Sequence, residues 1–377
     1  MKQSIWTNMK PARDWYGVDA GMFSSEVEPL NQPAVLRGVV AHWPAVAKAR
    51  ESAQALAHYL RQQCNDEPVS VFVGAPGIEG RFSYRDDLLG FNFAQQRVPL
   101  GEVVSFLLRE FDNPAAPAWY AGAVPVAEHA PPMLPEHTLD LLPSDVPRRA
   151  SLWIGNRTRV AAHWDHQHNI ACVVSGRRRY TLFPPQQIKN LYIGPLDRSP
   201  AGVPISLVDF HRPDFERFPR FRAALEAAEV AELGPGDALY MPSLWVHHAE
   251  SLDGFGLMMN FWWQTWPAQQ LSPFLTMLHS LLTVRDLPPA VREGWRELFD
   301  LYVFQTDGEP MAHIPEQARG LFAAPTPQRT LAIVAQLQQS LEQLKAAIQG
   351  GAPPRVAATP LVAAPPRVSG TKPPPPR

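Results

Sequence analysis

Between residues 150 and 266 the chain breaks into short runs rich in β-branched and aromatic residues, and this restricts it to a closed or sandwiched β architecture. The runs cover 151–155, 159–164, 169–174, 178–183, 238–241, 246–251 and 257–263. Turn chemistry ends them at Ser175-Gly176, Phe183-Pro184-Pro185, Gly234-Pro235-Gly236-Asp237 and Asp253-Gly254. A stretch near 184–230, rich in Pro, Phe and Arg, interrupts the series and finishes in a helix expected around 218–228.

The flanks follow a different period. Residues 30–46 read as a short strand ending in a turn, and 51–63 as a helix with Leu56, Tyr59 and Leu60 at helical spacing. A strand is expected at 69–73. A second helix over 100–111 aligns Val103, Val104, Leu107, Leu108 and Phe111, and Pro114 and Pro117 stop it. Trp119-Tyr120-Ala121-Gly122 then opens another strand. Beyond 266 helices are expected at 271–284, 290–304 and 330–349. The last carries Val334, Leu337, Leu341, Leu344 and Ile348 at spacings that alternate between three and four. Such a seam packs on its own domain or pairs with a copy of itself, so this helix is a candidate for homodimerisation. The expected division is an N-terminal segment 1–29, a β domain with N-terminal α/β elements over 30–266, a helical region 267–349, and a disordered Pro-rich tail 350–377.

The bulk properties narrow the function. With 45% hydrophobic residues, 11 Trp and 18 Phe, the chain can bury a sizeable core. A net charge of −2 provides no general field for nucleic acid or an anionic membrane, which argues against both as partners. Met1-Lys2-Gln3-Ser4-Ile5-Trp6 has no apolar run of a signal peptide, and no stretch is long enough to span a bilayer. Cys64 and Cys172 are the only cysteines, too few for a disulfide framework or a cysteine-based zinc site. A reducing cytoplasm is the expected compartment.

His163-Trp164-Asp165 and His247-His248 carry the chemistry. Residues two apart on a strand face the same way, so the imidazole of His163 and the carboxylate of Asp165 can hold one ion. A histidine from the distant pair completes two nitrogens and one oxygen. That set leaves roughly three of six octahedral positions open and suits iron or manganese, as in non-haem Fe(II) oxygenases. His247 and His248 face opposite ways on a strand, so only one of them can enter. His58, His166, His168 and His211 read as ordinary structural histidines. A metal-dependent isomerase on a cupin barrel is a weaker reading, since it expects further ligands, such as His-x-His with an added carboxylate, and His166 and His168 read as structural.

The order of these motifs resembles the cupin-like branch of the Jumonji-C oxygenases, and most of all the branch of the hypoxia-inducible-factor asparaginyl hydroxylase. The matching text is His163-Trp164-Asp165, Asn169, Gly176-Arg177-Arg178, Leu182-Phe183-Pro184-Pro185, Asp209-Phe210, residues 213–219, 234–237, Trp245-Val246-His247-His248 and Asn260-Phe261-Trp262. The resemblance implies a mainly β protein with flanking helices, a double-stranded β-helix (cupin or jelly-roll) core and a helical C-terminal extension. It implies Fe(II), 2-oxoglutarate and O2, with decarboxylation of the acid coupled to hydroxylation of a C–H bond, or to N-demethylation by the same route. His163, Asp165 and His247 would be the metal and catalytic residues, family position choosing His247 over His248. Arg178 would take the distal carboxylate, standing where the family often has Lys. Asn169, Asn260 and Tyr120 would hydrogen-bond the cosubstrate or order the residues around it, and Trp262 would wall the pocket. Val160 departs from the pattern, replacing a hydroxyl residue. The implied substrate is a protein side chain or a small molecule. The alternative is a non-catalytic, metal-binding cupin-like interaction protein.

Overall fold

Alternating burial in the central strands explains how one sequence builds two cores. The computed structural model describes residues 5–350 apart from 198, 201, 265–270, 307 and 324. The tail expected after Gly350 and the boundary expected at 266 lie outside the described residues. Seven strands come first: β1 (Lys10–Pro11), β2 (Arg13–Tyr16), β3 (Ala34–Arg37), β4 (Pro68–Gly74), β5 (Arg81–Phe82), β6 (Ala94–Pro99) and β7 (Ala118–Pro125). The next eight form the barrel: β8 (Arg148–Gly155), β9 (Arg159–Trp164), β10 (His168–Ser175), β11 (Arg178–Phe183), β12 (Glu229–Leu233), β13 (Ala238–Met241), β14 (Val246–Ser251) and β15 (Gly256–Trp263).

Those eight split evenly. β13-β10-β15-β8 lie within a nine-stranded sheet and β12-β11-β14-β9 within a six-stranded one. Every pairing inside each set of four is antiparallel. This is a double-stranded β-helix with flanking helices. The flanking strands extend both sheets, with β7, β4 and β6 continuing the larger one beyond β8.

β10 reads as one apolar run because both of its faces are covered. Ala171 and Val173 join Tyr180, Leu182, Leu239 and Met258 inside the barrel. Ile170, Cys172 and Val174 point the other way, onto Trp43, Leu56, Leu60, Val103 and Leu107. The last four of these belong to helices Ala53–Gln63 and Leu100–Arg109, which bury their apolar stripes on the outside of the sheet. Each fully buried large side chain contributes about 1.5–3 kcal/mol, so the two clusters together fix the register of the strand between them.

The described residues fall into two units, one up to residue 264 and one from 271. The second contains helices Pro273–Thr283, Pro289–Phe299 and Pro327–Gly350. No helix among the described residues is long and apolar enough to cross a membrane.

Some elements differ from the sequence expectation. Residues 44–46 open the helix Pro44–Glu51 where a turn was expected, with Pro44 at its first position, where a missing N–H costs nothing. β12 and β6 escaped notice because charged or amide residues take exposed and half-buried positions on both faces (Glu229, Glu232, Gln95, Gln96, Arg97), the composition of edge or half-solvated strands. The helix expected over 218–228 is only Phe221–Glu226.

His137 ties the start of Pro44–Glu51 to the rest of the unit. It is buried, its Nδ1 lies 2.8 Å from the Met133 carbonyl, and its Nε2 accepts the Ala45 amide at 3.3 Å. The carbonyl requires the proton on Nδ1, so Nε2 accepts only while the ring is neutral. Burial accordingly holds the His137 pKa below its ordinary value. A depressed folded pKa contributes stability that is full above the unfolded value, about 6.5, and lost as pH falls below it. The thermal midpoint of the wild type should therefore fall more steeply between about pH 7.5 and about pH 5 than that of His137→Gln, which keeps an acceptor without a titration. Parallel slopes in a calorimetric pH series would remove this role.

Candidate metal centre

Three ligand-type side chains meet where β9 and β14 pair. Antiparallel register places His163 directly opposite His247. Asp165 follows β9 at once, and the backbone N–H of Leu244 donates to its carbonyl at 2.9 Å, tying the turn before β14 to the same spot. The ligand atoms of His163, Asp165 and His247 all lie within 4.8 Å of one another, close enough for one ion to be shared. His247 Nε2 is 4.0 Å from Asp165 Oδ2, and the two imidazole centroids are 4.4 Å apart.

The pairing carries a bulge: His163 to Val160 stands against only His247 to Ala249. The extra residue in β9 turns Val160 to the face that His163 occupies, where an unbroken strand would send them apart. Both then line the same cavity.

Each histidine is oriented by its own strand. His163 Nδ1 lies 2.9 Å from the Ala161 carbonyl and His247 Nδ1 lies 3.2 Å from that of Trp245. A carbonyl can only accept, so both protons sit on Nδ1 and the Nε2 lone pairs are left for a cation. Burial and the neighbouring His163 push His247 down to about 4, which keeps it in the neutral, ligating form. His248 turns to the opposite face and stacks on Phe210, with centroids 4.4 Å apart and planes at 16°. His168 bonds Tyr240, His211 pairs with Glu250, and His58 meets Gln62 on the surface, so each has a structural partner.

Asp165 is held from behind. Its Oδ2 accepts from Asn169 Nδ2 and from Trp262 Nε1, each at 3.0 Å. Asn169 and Trp262 are themselves register partners on β10 and β15. Asn260, fully buried, donates to Asn169 Oδ1 at 3.0 Å and accepts from Trp153 Nε1 at 2.6 Å. Of the two roles implied for Asn260 it takes the supporting one: both ends of its amide are engaged, and it is not among the residues that line the cavity. Trp262 both walls the cavity and aims the carboxylate.

Arg178 points inward between outward neighbours. Arg179 reaches Glu232 and Glu250, and Arg177 pairs with Asp253. Arg178 is 3% exposed, donates weakly to the Trp153 carbonyl at 3.4 Å, and leaves its Nε without a hydrogen-bond partner. Among the described residues no carboxylate lies within ion-pair distance of it. A buried guanidinium left this way calls for an anion from outside the chain.

A narrow inner arm of about 30 Å³ joins Arg178, Tyr180 and Asn169 to the three ligands. It shares Tyr120, Trp153, Val160, His163, Asp165 and Trp262 with an outer chamber of about 400 Å³. Tyr120 lines both, and burial raises its phenol, which stays a protonated donor. The sequence reading passed over Trp153, Gly122 and Arg149, all of which line the outer chamber. Gly122 carried a readable signal, being a glycine within a strand: a Cβ there would come within 2.9 Å of the Trp153 ring.

Residues 20–269 match the cupin-like domain family. The chain belongs to that family. It is 28% identical over 271 residues to the lysine-specific demethylase JMJ31 of Arabidopsis thaliana, covering 65% of this chain and 48% of that one. It is 26% identical over 263 residues to the human bifunctional peptidase and (3S)-lysyl hydroxylase JMJD7, covering 62% and 77%. It is 32% identical over 107 residues to the tRNA wybutosine-synthesizing protein 5 of Gallus gallus, covering 28% and 30%. The cupin-like chain thus spans about half the length of the first of these relatives.

Trp262→Phe keeps the ring but removes the donor to Asp165. It should weaken Mn(II) or Co(II) binding by about 10–100-fold, as loss of such supporting bonds does, with little effect on the thermal midpoint of the metal-free protein. Unchanged affinity in a metal titration would show that Asn169 alone suffices to aim the carboxylate.

Proposed function

We propose that this cupin-like protein is an Fe(II)- and 2-oxoglutarate-dependent oxygenase that hydroxylates a C–H bond of a protein side chain or small molecule. N-demethylation would be the same step on an N-methyl carbon. One observation carries the reading: the unpartnered Nε of buried Arg178 lies in the same cavity as the three converging ligands. The residues fit the group. Two imidazoles and one carboxylate suit Fe(II), and a guanidinium suits the far carboxylate of a dicarboxylic acid. Bound iron and 2-oxoglutarate would supply the oxidising chemistry, coupling decarboxylation of the acid to insertion of one oxygen atom of O2 into the C–H bond.

The protein's own part is positioning. His163, Asp165 and His247 would hold the metal from one side and leave the side toward the chambers open. Arg178 would anchor the acid through its free Nε. Asn169 and Trp262 keep Asp165 turned toward the metal position, while Tyr120 offers a neutral donor at the junction of the chambers. Phe72, Phe82 and Trp153 exclude water from the outer wall. A non-catalytic interaction protein would have no use for an unpaired buried cation, so that alternative is disfavoured. The relatives' names include a lysyl hydroxylase, a lysine demethylase and a tRNA-modifying protein, so likeness alone does not choose a substrate. Two free thiols, Cys64 and Cys172, support placing the protein in the reducing cytoplasm.

Succinate release with Fe(II), ascorbate and 2-oxoglutarate tests the reading directly. The wild type should turn over slowly without substrate, and Asp165→Ala should abolish this while keeping the fold. Arg178→Gln should raise the 2-oxoglutarate KM by roughly 10–100-fold, the worth of a charge-assisted hydrogen bond. No release from the wild type under any condition, with metal bound, would favour the interaction protein.

We infer in addition that the C-terminal unit pairs with a second copy. Its three helices bury none of their described residues, and Leu331, Leu337, Leu341 and Ile348 are exposed along Pro327–Gly350. Arg329, Glu342 and Lys345 are that helix's only charges, so a copy meets little like-charge repulsion. Light scattering should give twice the chain mass, and Leu337→Glu with Leu341→Glu should give the monomer. A monomeric wild type at about 10 μM would reject the pairing.

A further inference from the structure

The outer chamber has a charge bias that the metal site does not need. Its aromatic wall is made of Phe72, Phe82, Tyr120, Trp153 and Trp262, and Val160, Val203 and Ile205 face it with aliphatic surface. Among the described lining residues Asp165 is the only acid, and its Oδ2 already accepts two hydrogen bonds while the carboxylate faces the metal position. Arg149 is the only lysine or arginine among the described lining residues. It stands directly across β8–β15 from Trp262, its guanidinium carbon 4.5 Å from the centre of that ring. No carboxylate among the described residues pairs with it. The same arginine also lines a second groove of about 500 Å³, running past Pro125, Leu134 and Phe261, so it sits on the rim where two cavities meet.

We propose that this chamber selects a substrate with an apolar or aromatic body and a carboxylate, and that Arg149 sets the preference. The inference rests on the oxygenase reading only in calling the occupant a substrate; the charge selection is a property of the chamber itself. A lysine or arginine side chain entering here meets no anion that could replace its lost hydration, and finds a fixed cation already over the Trp262 face. A carboxylate at the rim gains a guanidinium whose position the indole has already restricted, so little freedom is lost on pairing. The wall residues then bury the body of the molecule on the side of His163 and Asp165. A free acid and the acidic side chain of a polypeptide present the same chemistry to Arg149.

Ligand-observed NMR and calorimetry with three matched probes, 3-phenylpropionate, 3-phenylpropionamide and 3-phenylpropylamine, separate the possibilities on the full chain loaded with Mn(II). The acid should bind about five- to tenfold more tightly than the amide, and the amine should bind worst. Arg149→Lys should keep the order, Arg149→Gln should bring acid and amide together, and Arg149→Glu should favour the amine. Arg149 is exposed on the rim, so these variants keep the fold. A capped peptide carrying Asp beside Phe distinguishes the sources: tighter binding than the free acid assigns a polypeptide, and weaker binding a small acid, either one supporting the carboxylate preference. An order unchanged in Arg149→Glu, or displacement of the acid by excess 2-oxoglutarate, overturns the proposal, the latter because the probe has entered the inner arm. These binding measurements need no turnover. Absent succinate release with an Arg149-dependent acid preference would thus sink the oxygenase reading alone.

Discussion

The register between β9 and β14 is the constraint on which the rest depends. His163 faces His247 across that pair, and Asp165 follows within one turn of chain. A slip of one residue would bring His248 inward and send His247 out, because side chains alternate along a strand. Packing on the far face resists this. Val246, Ala162 and Trp164 belong to a cluster with Phe183, Phe210 and Phe221, and His248 stacks on Phe210. At about 1.5–3 kcal/mol for each large apolar side chain, a slip would forfeit several such contributions together. The metal face is thus positioned by a hydrophobic cluster it never touches.

Behind the ligands the polar groups are almost fully used, and at the cavity they are not. Trp153, Asn260, Asn169 and Asp165 form a chain of hydrogen bonds, with Trp262 joining at its end. Among the described atoms, the buried Arg178 Nε makes no hydrogen bond, and the His163 and His247 rings commit their Nδ1 atoms to carbonyls, leaving Nε2 toward the metal position. Each buried polar group left so costs about 1–3 kcal/mol. The two-sided packing of β10 and β15 is large enough to carry such losses. A barrel stabilised only by its interior layer would have less to spare.

Much of this was readable in the residues, for physical reasons that can be named. The barrel strands showed themselves where both faces are buried or alternate cleanly, as in 169–174 and 257–263. Strand β12 did not, because Glu229 at its start and the exposed Glu232 make it look like the end of the preceding helix. His-x-Asp announced itself through the two-residue period. The inward turn of Arg178 followed from its place between two arginines that find acids outside. Asn260 was visible as a polar residue inside an apolar run, but its partner depends on the pairing of β15 with β8, a contact far apart in sequence. Arg149 gave least warning, being a charge beside another at the start of a strand, and the place Gly122 takes depends on a bulge between distant residues.

That bulge shows where selectivity is built. Between Ala121 and Val124 the β7–β8 ladder loses its register, and Ala123 takes a φ of 52°. Gly122 and Ala123 thereby form a lip of the outer chamber against the Trp153 ring. Ser70 and Phe72 on β4, Gln95 on β6 and Phe82 on β5 complete the wall, and none of them belongs to the eight barrel strands. The metal ligands and Arg178, by contrast, come from the barrel or from the residue that directly follows β9. The barrel thus supplies the chemistry alone, while the chamber wall is shared between the barrel, through Arg149, Trp153 and Trp262, and the N-terminal strands. A β-helix of this kind can keep one iron-binding face while its N-terminal strands are rebuilt around another substrate.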